Sequence, residues 1–584
     1  MSKYSSDNEA IPTRNNDGEL GSIRRKKRNS KYDDTEAIPF TDTRKLKPQF
    51  LNAKRNRSLK NTQNYFCEFC DNTSIHGFKF LGERNRYIVE KIWWFVVILI
   101  AMTFSAVLIS QSFHKWKTSP IVVTFATTET PIWEIPFPAI TICPEVNAHP
   151  KVFNYTDVYL KYVNKINTTE KEDLYFQLFS TICNENLEFI DVNATKIMSK
   201  DNFDEFLGSF ADLQAHYCQW LGASQDCNKV FDYILTSEGW CRTFNMLDQN
   251  EVYANPGEYF DNSSKKSESW SLEYGYPENA GLNTYPRRVM LTGAKAGFQV
   301  DLIVNETNLD YLCGELQGFK VTLHHPAEVP NMDTHFRIPL DQAVVAAIKP
   351  EMITTSEEIR NYSPKDRNCY LPGEKILSNY KSYTQQNCLV ECLTNYTLKV
   401  CGCIAFYMIS EEEITEVCGA GSKQCIDDVK VTFLEKDLSS IEDENGDNVT
   451  DLCNCMPSCT SITFDSEVSQ TQWDWRKTIG LRKHNQMNVS NADFHISRLL
   501  VYYKNLQFMT SERHELYGVV DFLANCGGLF GLLCGLSFTS IMEIVYYLTL
   551  RIVCNILIFG RKVWSGNPKM VEKEKKRKAQ IELE

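Results

Sequence analysis

The chain has 584 residues, 62 of them Lys or Arg and 74 Asp or Glu, which gives a formal net charge of −12. This length allows two or three ordinary soluble domains, so the positions of the apolar runs decide how the chain is divided. No Gly-rich phosphate loop, zinc-hydrolase helix or serine elbow appears, and we expect no enzyme, no cofactor, no metal site and no nucleic-acid partner.

The chain begins with a polar region that changes composition before the first apolar run. Residues 1–64 are low in aromatic side chains and rich in Asn, Asp, Ser, Lys and Arg, which predicts a disordered tail. Residues 65–91 contain aromatic side chains and glycines, which predicts a folded or membrane-apposed segment. Within it, Cys67 and Cys70 form an isolated C-x-x-C. Zinc or redox chemistry would need partners that we do not find in the sequence, so two ordinary thiols are favoured.

Two uncharged apolar runs are long enough to cross a membrane. The first, residues 92–113, has 22 residues and as a helix would span about 33 Å, against about 30 Å for the apolar core of a bilayer. The second run, Phe522–Met542, lies in a segment over residues 518–550 that we predict to be the second span and a pore. Lys and Arg are abundant before the first run and in the tail over residues 551–584. The positive-inside rule therefore predicts a plasma-membrane protein with both termini cytoplasmic.

Residues 114–517 are predicted to form one extracellular disulfide-rich domain. They carry 34 basic and 56 acidic side chains, 16 of the 21 Cys and nine Asn-x-Ser/Thr sequons. Disulfides persist in oxidising compartments, and N-glycans are added on the lumenal side. The disulfide candidates are Cys143, Cys183, Cys218, Cys227, Cys241, Cys313, Cys369, Cys388, Cys392, Cys401, Cys403, Cys418, Cys425, Cys453, Cys455 and Cys459. The glycosylation candidates are Asn154, Asn167, Asn193, Asn262, Asn305, Asn395, Asn448 and Asn488; the ninth sequon, at Asn361, is poorer because Pro364 follows closely.

This domain mixes strand-like and helix-like segments, so an α+β fold is predicted. The strand-like runs are FPAITIC (137–143), VTLHHP (321–326) and LLVYYKNLQF (499–508), and the helix-like segments cover residues 202–221 and 385–402. Strand-like runs follow the first span and precede the second, which predicts a sheet that begins at the membrane. His324 and His325 lie within the second run, and we expect a structural role for them.

The cysteines are densest between Cys388 and Cys459. In a cytosolic protein this density would suggest zinc. In an extracellular domain disulfides are favoured, and a ladder of them would make the segment a stiff rod. The sequence leaves their connectivity open.

Four glycines lie in the second apolar run, although glycine is costly in a helix. Gly527, Gly531 and Gly535 are spaced by four, so on a continuous helix they form a stripe that another backbone can approach closely. This explanation leaves out Gly528, and it also leaves out Ser537, which would face the opposite side from Gly535.

An unwound step over residues 535–537 explains the glycines differently. It would free backbone carbonyls, which channels use to replace the hydration shell of an ion. Unwound backbone survives in a bilayer only where it lines water or protein. Asp521 and Glu543 bracket the segment with negative charge, which favours cations. Because one chain with two spans cannot enclose a pore, several copies would have to meet around the glycines.

Six motifs occur in an order that is specific to one family. They are SIHG (74–77), FPAITIC (137–143), WCRTFN (240–245), Y-x4-C-x3-C-x8-C-x-C (383–403), C-x-C-x-P-x-C (453–459) and GGLFGLLCGLS (527–537). With these motifs the chain resembles the degenerin and epithelial sodium channel superfamily, and within it the insect pickpocket-like branch. The resemblance covers residues 65–550.

The resemblance implies a trimeric, voltage-independent, sodium-selective channel, often blocked by amiloride, that is embedded in membrane lipid as a homotrimer or a heterotrimer with related subunits. It implies a palm, thumb and finger domain that responds to an unknown extracellular ligand or to a mechanical or osmotic stimulus, in a sensory role. By position, Gly535, Leu536 and Ser537 resemble the G-x-S selectivity filter, Ala524 the site where small residues prevent permanent opening, and His76 and Gly77 the gating motif. Leu536 is larger than many residues at the middle filter position, which leaves the degree of selectivity open.

Two other classes of membrane protein also have two spans. A non-conducting, glycosylated two-span receptor would have similar glycans and disulfides, but it would need neither an unwound step nor SIHG. An ATP-gated type of channel is also trimeric, but it would have a smaller domain with fewer cysteines. The sequence does not predict the gating stimulus, the subunit composition or the tissue.

Overall fold

The computed structural model describes residues 61–118, 121–146, 148–149, 151–183, 194–255, 267, 270–281, 284–410, 415–442, 453–482 and 493–581. Most of the predicted tail and the sequons at Asn193, Asn262, Asn448 and Asn488 lie outside these residues. The chain divides into two compact units, one combining the residues up to Ser105 with those from Leu529 onward, and a larger one containing Ala106–Gly528.

The described elements are numbered in chain order. The strands are β1 (Ile121–Phe125), β2 (Thr130–Pro131), β3 (Ala139–Pro144), β4 (Ile197–Met198), β5 (Gln214–Trp220), β6 (Ala223–Gln225), β7 (Phe231–Thr236), β8 (Gly239–Phe244), β9 (Phe298–Asn305), β10 (Gly318–His324), β11 (Phe336–Pro339), β12 (Gln342–Thr355), β13 (Val417–Cys418), β14 (Ser461–Gln472), β15 (Phe494–Tyr503), β16 (Gln507–Phe508) and β17 (Ser511–Glu515). The helices are α1 (residues 61–72), α2 (Phe78–Gly82), α3 (Ile88–Thr118), α4 (Tyr155–Val163), α5 (Glu170–Phe179), α6 (Lys200–Gly208), α7 (Cys227–Val230), α8 (Gln249–Val252), α9 (Pro364–Arg367), α10 (Gln385–Cys401), α11 (Lys423–Glu442), α12 (Trp475–Arg482), α13 (Val519–Cys534), α14 (Phe538–Leu548), α15 (Leu550–Phe559) and α16 (Pro568–Ile581). This mixture confirms the predicted α+β class.

The larger unit is built on an eight-stranded mixed sheet. Its order is β1-β17-β12-β15-β9-β5-β6, with β14 also paired to β12. β12 runs parallel to β15, and β15 runs antiparallel to β9. β1 follows α3 in the chain and pairs antiparallel with β17, which precedes α13. The strand that follows α3 in the chain and the strand that precedes α13 are therefore neighbours in one sheet.

A second sheet, in the order β11-β10-β3-β8-β7, shares its apolar core with the first. β3 is buried at every position, as expected for a strand covered on both faces. Phe244 of β8 stacks on Phe298 of β9, with ring centroids 4.0 Å apart. His324 is buried, and its Nε2 lies 2.8 Å from the hydroxyl of Thr141. His324 is therefore a buried, hydrogen-bonded residue of the core.

All 16 cysteines predicted to form disulfides are paired. The bonds are Cys143–Cys241, Cys183–Cys313, Cys218–Cys227, Cys369–Cys459, Cys388–Cys455, Cys392–Cys453, Cys401–Cys425 and Cys403–Cys418. The last five bonds form the predicted ladder. Cys67 and Cys70 are free, and burial raises the pKa of the Cys70 thiol to about 11, which keeps it protonated. This protonation state agrees with an ordinary thiol.

The helix predicted over residues 202–221 is wrong in its second half. α6 ends at Gly208, and residues 214–220 form β5, which pairs with β9. The side chains of β5 alternate between more and less exposed positions, which fits a strand with one covered face. Pairing with a neighbouring strand therefore outweighs the local helical preference of these residues.

The two spans also differ from the predicted runs. α3 contains residues 92–113 and extends to Thr118. The second apolar run is not one continuous helix but is split between α13 and α14, and Phe538–Phe559 forms a helical stretch long and apolar enough to cross a membrane. The reason is a local break in the helix at residues 535–537.

Candidate functional site

The break between α13 and α14 is encoded by a glycine and a serine. Gly535 follows the last residue of α13 with φ of +63°, in the left-handed region that glycine adopts at helix ends. Ser537 is extended and begins α14, since its hydroxyl accepts a hydrogen bond from the Ser540 amide at 3.3 Å. The hydroxyl of Ser540 in turn accepts a hydrogen bond from the Ser537 amide at 3.1 Å. This reciprocal capping box ends one helix and starts the next within three residues.

The loop that carries SIHG satisfies the end of α13. The backbone amide of His76 donates a hydrogen bond to the carbonyl of Cys534 at 3.0 Å. This contact matters because the last carbonyls of a helix have no partner within it. A Cβ added to Gly535 would lie 2.6 Å from two carbon atoms of the His76 ring, closer than real Cβ contacts. Gly535 is therefore required both by its φ and by the imidazole beside it.

Gly77 fixes the turn that follows His76. It caps α2 in the left-handed region, with φ of +85°. A Cβ here would lie 3.0 Å from the side chain of Ile98 on α3. The two residues of the predicted gating motif thus have different tasks: His76 contacts the break, and Gly77 lets the chain turn against the first span.

A cluster of hydroxyl groups and one carboxylate joins the same loop to α14. The hydroxyl of Ser74 lies 2.7 Å from that of Ser540, which is completely buried. One oxygen of Glu543 accepts bonds from the Ser74 amide at 3.0 Å and from the hydroxyls of Ser74 and Thr73, each at 3.2 Å. The structure thus gives Glu543 the role of an acceptor that holds the loop.

α1 reinforces this attachment further along the chain. The hydroxyl of Tyr65 donates to the carbonyl of Tyr547 at 2.6 Å, and Glu68 forms an ion pair with Arg551. The aromatic ring of Phe69 packs edge-on against Tyr547. Residues within little more than one turn of α1 therefore contact both α14, at Tyr547, and α15, at Arg551.

The other predicted pore residues lie on α13. Asp521, in its first turn, accepts a bond from the Gly518 amide at 3.2 Å. Ala524, Gly527 and Gly528 are exposed. A Cβ on Gly527, Gly528 or Gly531 would meet no atom of the described chain within 4 Å. The face of α13 at Gly527, Gly528 and Gly531 is therefore open among the described residues, whereas Gly535 lies against His76.

Sequence reasoning missed most of the partners at the break. It singled out His76, Gly535 and Ser537, but not Ser74, Ser540 or the carbonyl of Cys534. The spacing of Ser537 and Ser540 fits a capping box and could have indicated the start of α14. The pairing of Ser74 with Ser540 spans 466 residues, and no local signal predicts it.

The break presents oxygen atoms that can ligate a cation that has lost its hydration shell. The Gly535 amide still bonds to the Gly531 carbonyl at 3.0 Å, but the Leu536 amide leaves the regular helical pattern and reaches back to the Phe530 carbonyl at 3.2 Å. Ser537 is exposed, and its hydroxyl lies 2.7 Å from that of Thr539 besides accepting the capping bond. Backbone carbonyls and hydroxyls are hard oxygen ligands, and no His, Cys, Asp or Glu group suited to a tightly bound metal occurs among the described residues.

Comparison with known proteins gives a consistent result. The family model described as amiloride-sensitive sodium channel matches residues 69–547. The chain is similar to Pickpocket protein 28 of Drosophila melanogaster, with 27% identity over 88% of this chain and 85% of that protein. It is similar to Sodium channel protein Nach of the same organism, with 22% identity over 86% of this chain and 90% of that protein.

Among solved structures, a proton-activated chloride channel studied by cryo-EM matches with 7% sequence identity and a TM-score of 0.26. The match covers 78% of this chain and 96% of that one. A similarity at this level says nothing about the function of this chain.

Proposed function

We propose that this chain, which belongs to the amiloride-sensitive sodium channel family, is one subunit of a voltage-independent, sodium-selective channel whose ions pass the step at residues 535–537. The family is one of cation channels and not of enzymes. The pickpocket and Nach relatives from Drosophila identify its insect branch.

One observation carries this proposal: the second span is broken at residues 535–537, and a separate loop holds the break open. The His76 amide and the Ser74 hydroxyl bond to the two sides of the step, at Cys534 and Ser540. A helix that only had to anchor a receptor in lipid would gain nothing from this break, because exposed backbone polar groups are costly in a bilayer. A step that ligates passing sodium ions explains it.

The open face of α13, which carries three glycines, supports assembly of several copies. Gly527, Gly528 and Gly531 present bare backbone that no described residue of the same chain covers. Small residues at such a stripe allow close approach of a neighbouring helix or of water. We propose that three copies, identical or from related subunits, lay their α13 helices around one axis with Asp521 near the outer end.

The proposed topology follows from the charges and the disulfides. Eight disulfides in the larger unit fit an oxidising compartment. We propose that this unit is extracellular and that both termini are cytoplasmic, in the plasma membrane of a sensory cell. The larger unit then receives a ligand or a mechanical or osmotic signal.

Electrophysiology tests this function. Expressed in oocytes alone or with related subunits, Ala524→Val gives a standing inward current carried by external sodium, so the stimulus need not be known. In that background Ser537→Ala lowers the preference for sodium over potassium, measured as a shift of reversal potential on ion replacement. Ser110→Ala, which changes an exposed serine on α3, is the matched control and leaves the preference unchanged.

Two results would contradict the proposal. Protein at the cell surface that conducts in no subunit combination would indicate a non-conducting receptor. A current that needs ATP and is unaffected at Ser537 would indicate the ATP-gated type of channel.

A further inference from the structure

A groove of about 360 Å³ runs beside α10 in the larger unit. Glu391, Asn395 and Lys399, spaced by four on α10, form one wall together with Tyr396, and Ile376 lines the groove from a different segment of the chain. Its volume lies near the lower end of the range of about 300–1,000 Å³ that is usual for ligand pockets. We call it the α10 groove.

The walls of the α10 groove are held in place before any ligand enters. The carboxylate of Glu391 accepts bonds from the backbone amides of Ser378 at 3.1 Å and Asn379 at 2.8 Å. These bonds tie the segment after Ile376 to α10. Two disulfides, Cys388–Cys455 and Cys392–Cys453, contribute cysteines to the lining.

The chemistry of the walls is mixed. Ile376 is 87% exposed, an unusual position for a large apolar side chain beside a rigid groove. Lys399 is exposed, and it has no ion-pair partner among the residues that the structure describes. Tyr396 adds an aromatic ring. An occupant with both an apolar face and hydrogen-bonding groups would match this combination.

The wall itself carries an attachment point for such an occupant. Asn395 is exposed and begins the sequon Asn-Tyr-Thr. In the folded chain, however, Thr397 is completely buried, and its hydroxyl donates to the Leu393 carbonyl at 2.7 Å. An oligosaccharide transferase must reach both side chains, so the sequon is readable only before α10 folds.

From these observations we infer that Asn395 carries an N-linked glycan whose first N-acetylglucosamine residues occupy the α10 groove. In the transfer step, Nδ2 of Asn395 bonds to the anomeric carbon of a lipid-pyrophosphate-linked oligosaccharide, the bond from that carbon to the pyrophosphate oxygen breaks, and the amide loses one proton. The ring faces of the sugars pack on Ile376 and Tyr396, and their hydroxyl and acetamido groups bond to Lys399 and Glu391. The inference rests on the proposed extracellular position of the larger unit.

Glycan release from the full chain in animal-cell membranes tests the inference. The membranes are treated with peptide N-glycosidase without denaturation, and site occupancy is followed by mass spectrometry. The reference site is Asn305, where both Asn305 and Thr307 are exposed at the end of β9. We expect release at Asn395 to be about ten-fold slower than at Asn305, because the docked sugars must first leave the groove. Ile376→Ser, which alters an exposed side chain and keeps the sequon, raises the rate at Asn395 toward that at Asn305.

Three results would overturn the inference. Occupancy at Asn305 without occupancy at Asn395 leaves the topology intact but removes the glycan from the groove. Equal release rates at both sites in the unaltered chain show that the glycan is free. If release at Asn395 is slow and Ile376→Ser does not change its rate, then α10 itself, and not the groove, protects the glycan from the enzyme. An absence of glycan at both sites would instead contradict the proposed topology.

Discussion

The backbone amide of His76 donates a hydrogen bond to the carbonyl of Cys534, 458 positions away in the chain, at 3.0 Å. The bond satisfies the end of α13 at the point where the second span stops being helical. It also sets the imidazole of His76 against Gly535, where any side chain would collide with it. The two motifs that are most separated in the sequence are therefore parts of one small structure.

Gly535→Ala should disrupt this structure. A left-handed φ costs a residue with a Cβ about 1–2 kcal/mol, and the new methyl group would lie 2.6 Å from the His76 ring. We expect the current in the Ala524→Val background to fall by about ten-fold, the factor that corresponds to 1.4 kcal/mol. Gly480→Ala, on α12 and away from the break, is the matched control, because a Cβ there meets nothing within 4 Å.

A double variant separates the two causes of that loss. His76→Ala removes the ring but keeps the backbone amide, so adding it to Gly535→Ala relieves the collision and leaves the strained φ. We expect partial recovery of current, measured at equal surface expression. If the loss of current in the double variant equals the sum of the losses in the two single variants, expressed as free energies, then His76 and Gly535 do not interact.

Glu543 distinguishes a structural role from a pore-lining one. Its carboxylate accepts three hydrogen bonds from Thr73 and Ser74. Glu543→Gln keeps an oxygen acceptor, whereas Glu543→Ala removes it and detaches the loop from α14, at a cost of about 0.5–1.5 kcal/mol for each hydrogen bond lost. We expect the Ala variant to lose most of its current and the Gln variant to keep it, at normal single-channel conductance. Equal reductions of conductance in both variants would instead indicate that the charge faces the ions.

The disulfide ladder should stabilise the larger unit according to loop length. Cys388–Cys455 closes a loop with a sequence separation of 67, and Cys218–Cys227 one of only 9. Replacing the first pair by serine should lower the free energy of unfolding by about 2–4 kcal/mol, and the second pair should cost roughly 2 kcal/mol less than the first. Denaturant titration of the purified chain, followed by tryptophan fluorescence, measures both. A larger loss for the short loop would contradict this order.

Two buried histidines should make the larger unit sensitive to acid. Burial lowers the pKa of His324 to about 4 and that of His325 to about 3, from an ordinary value of 6.5. Below pH 6.5 the unfolded chain takes up protons that the folded chain does not, so the stability present above that pH is lost as the pH falls toward 4. Each histidine contributes a slope of about 1.4 kcal/mol per pH unit. The neighbouring Glu328, whose pKa burial raises from 4.5 to about 7, contributes a slope of opposite sign above pH 4.5.

Denaturant titration between these pH values checks the acid response. His325→Gln should lower the slope by about 1.4 kcal/mol per pH unit, because one titrating histidine is gone. His216→Gln changes an exposed histidine on β5 and should leave the slope as it was. A slope that His325→Gln does not alter would assign the acid response to other groups.

Local patterns were sufficient for the parts of the fold that are set by nearby residues. The strand at FPAITIC, the helix over residues 385–402 and the break at residues 535–537 are each encoded within a few positions, by burial on both faces, by an N-cap at Thr384 and by the pair Gly535 and Ser537. The set of paired cysteines followed from their compartment. Their connectivity did not, because it depends on which segments the fold brings together.

The features that the sequence did not predict depend on contacts between residues that are distant in the chain. Residues 214–220 are a strand because β9 lies beside them, which no window of local sequence contains. The bonds of Glu543 and Ser540 to the SIHG loop depend on the return of the chain after more than 460 residues. The pore-lining role of Glu543 stays a prediction, based on the expectation that a carboxylate within a membrane span serves function.

The most direct test of the central claim is a cryo-EM structure of the full chain in a lipid nanodisc with sodium. We predict three copies around one axis, with the step at Gly535–Ser537 from each copy facing a continuous aqueous path and the SIHG loop seated against it. Unbroken second spans that pack against one another with no water between them would contradict the proposed channel.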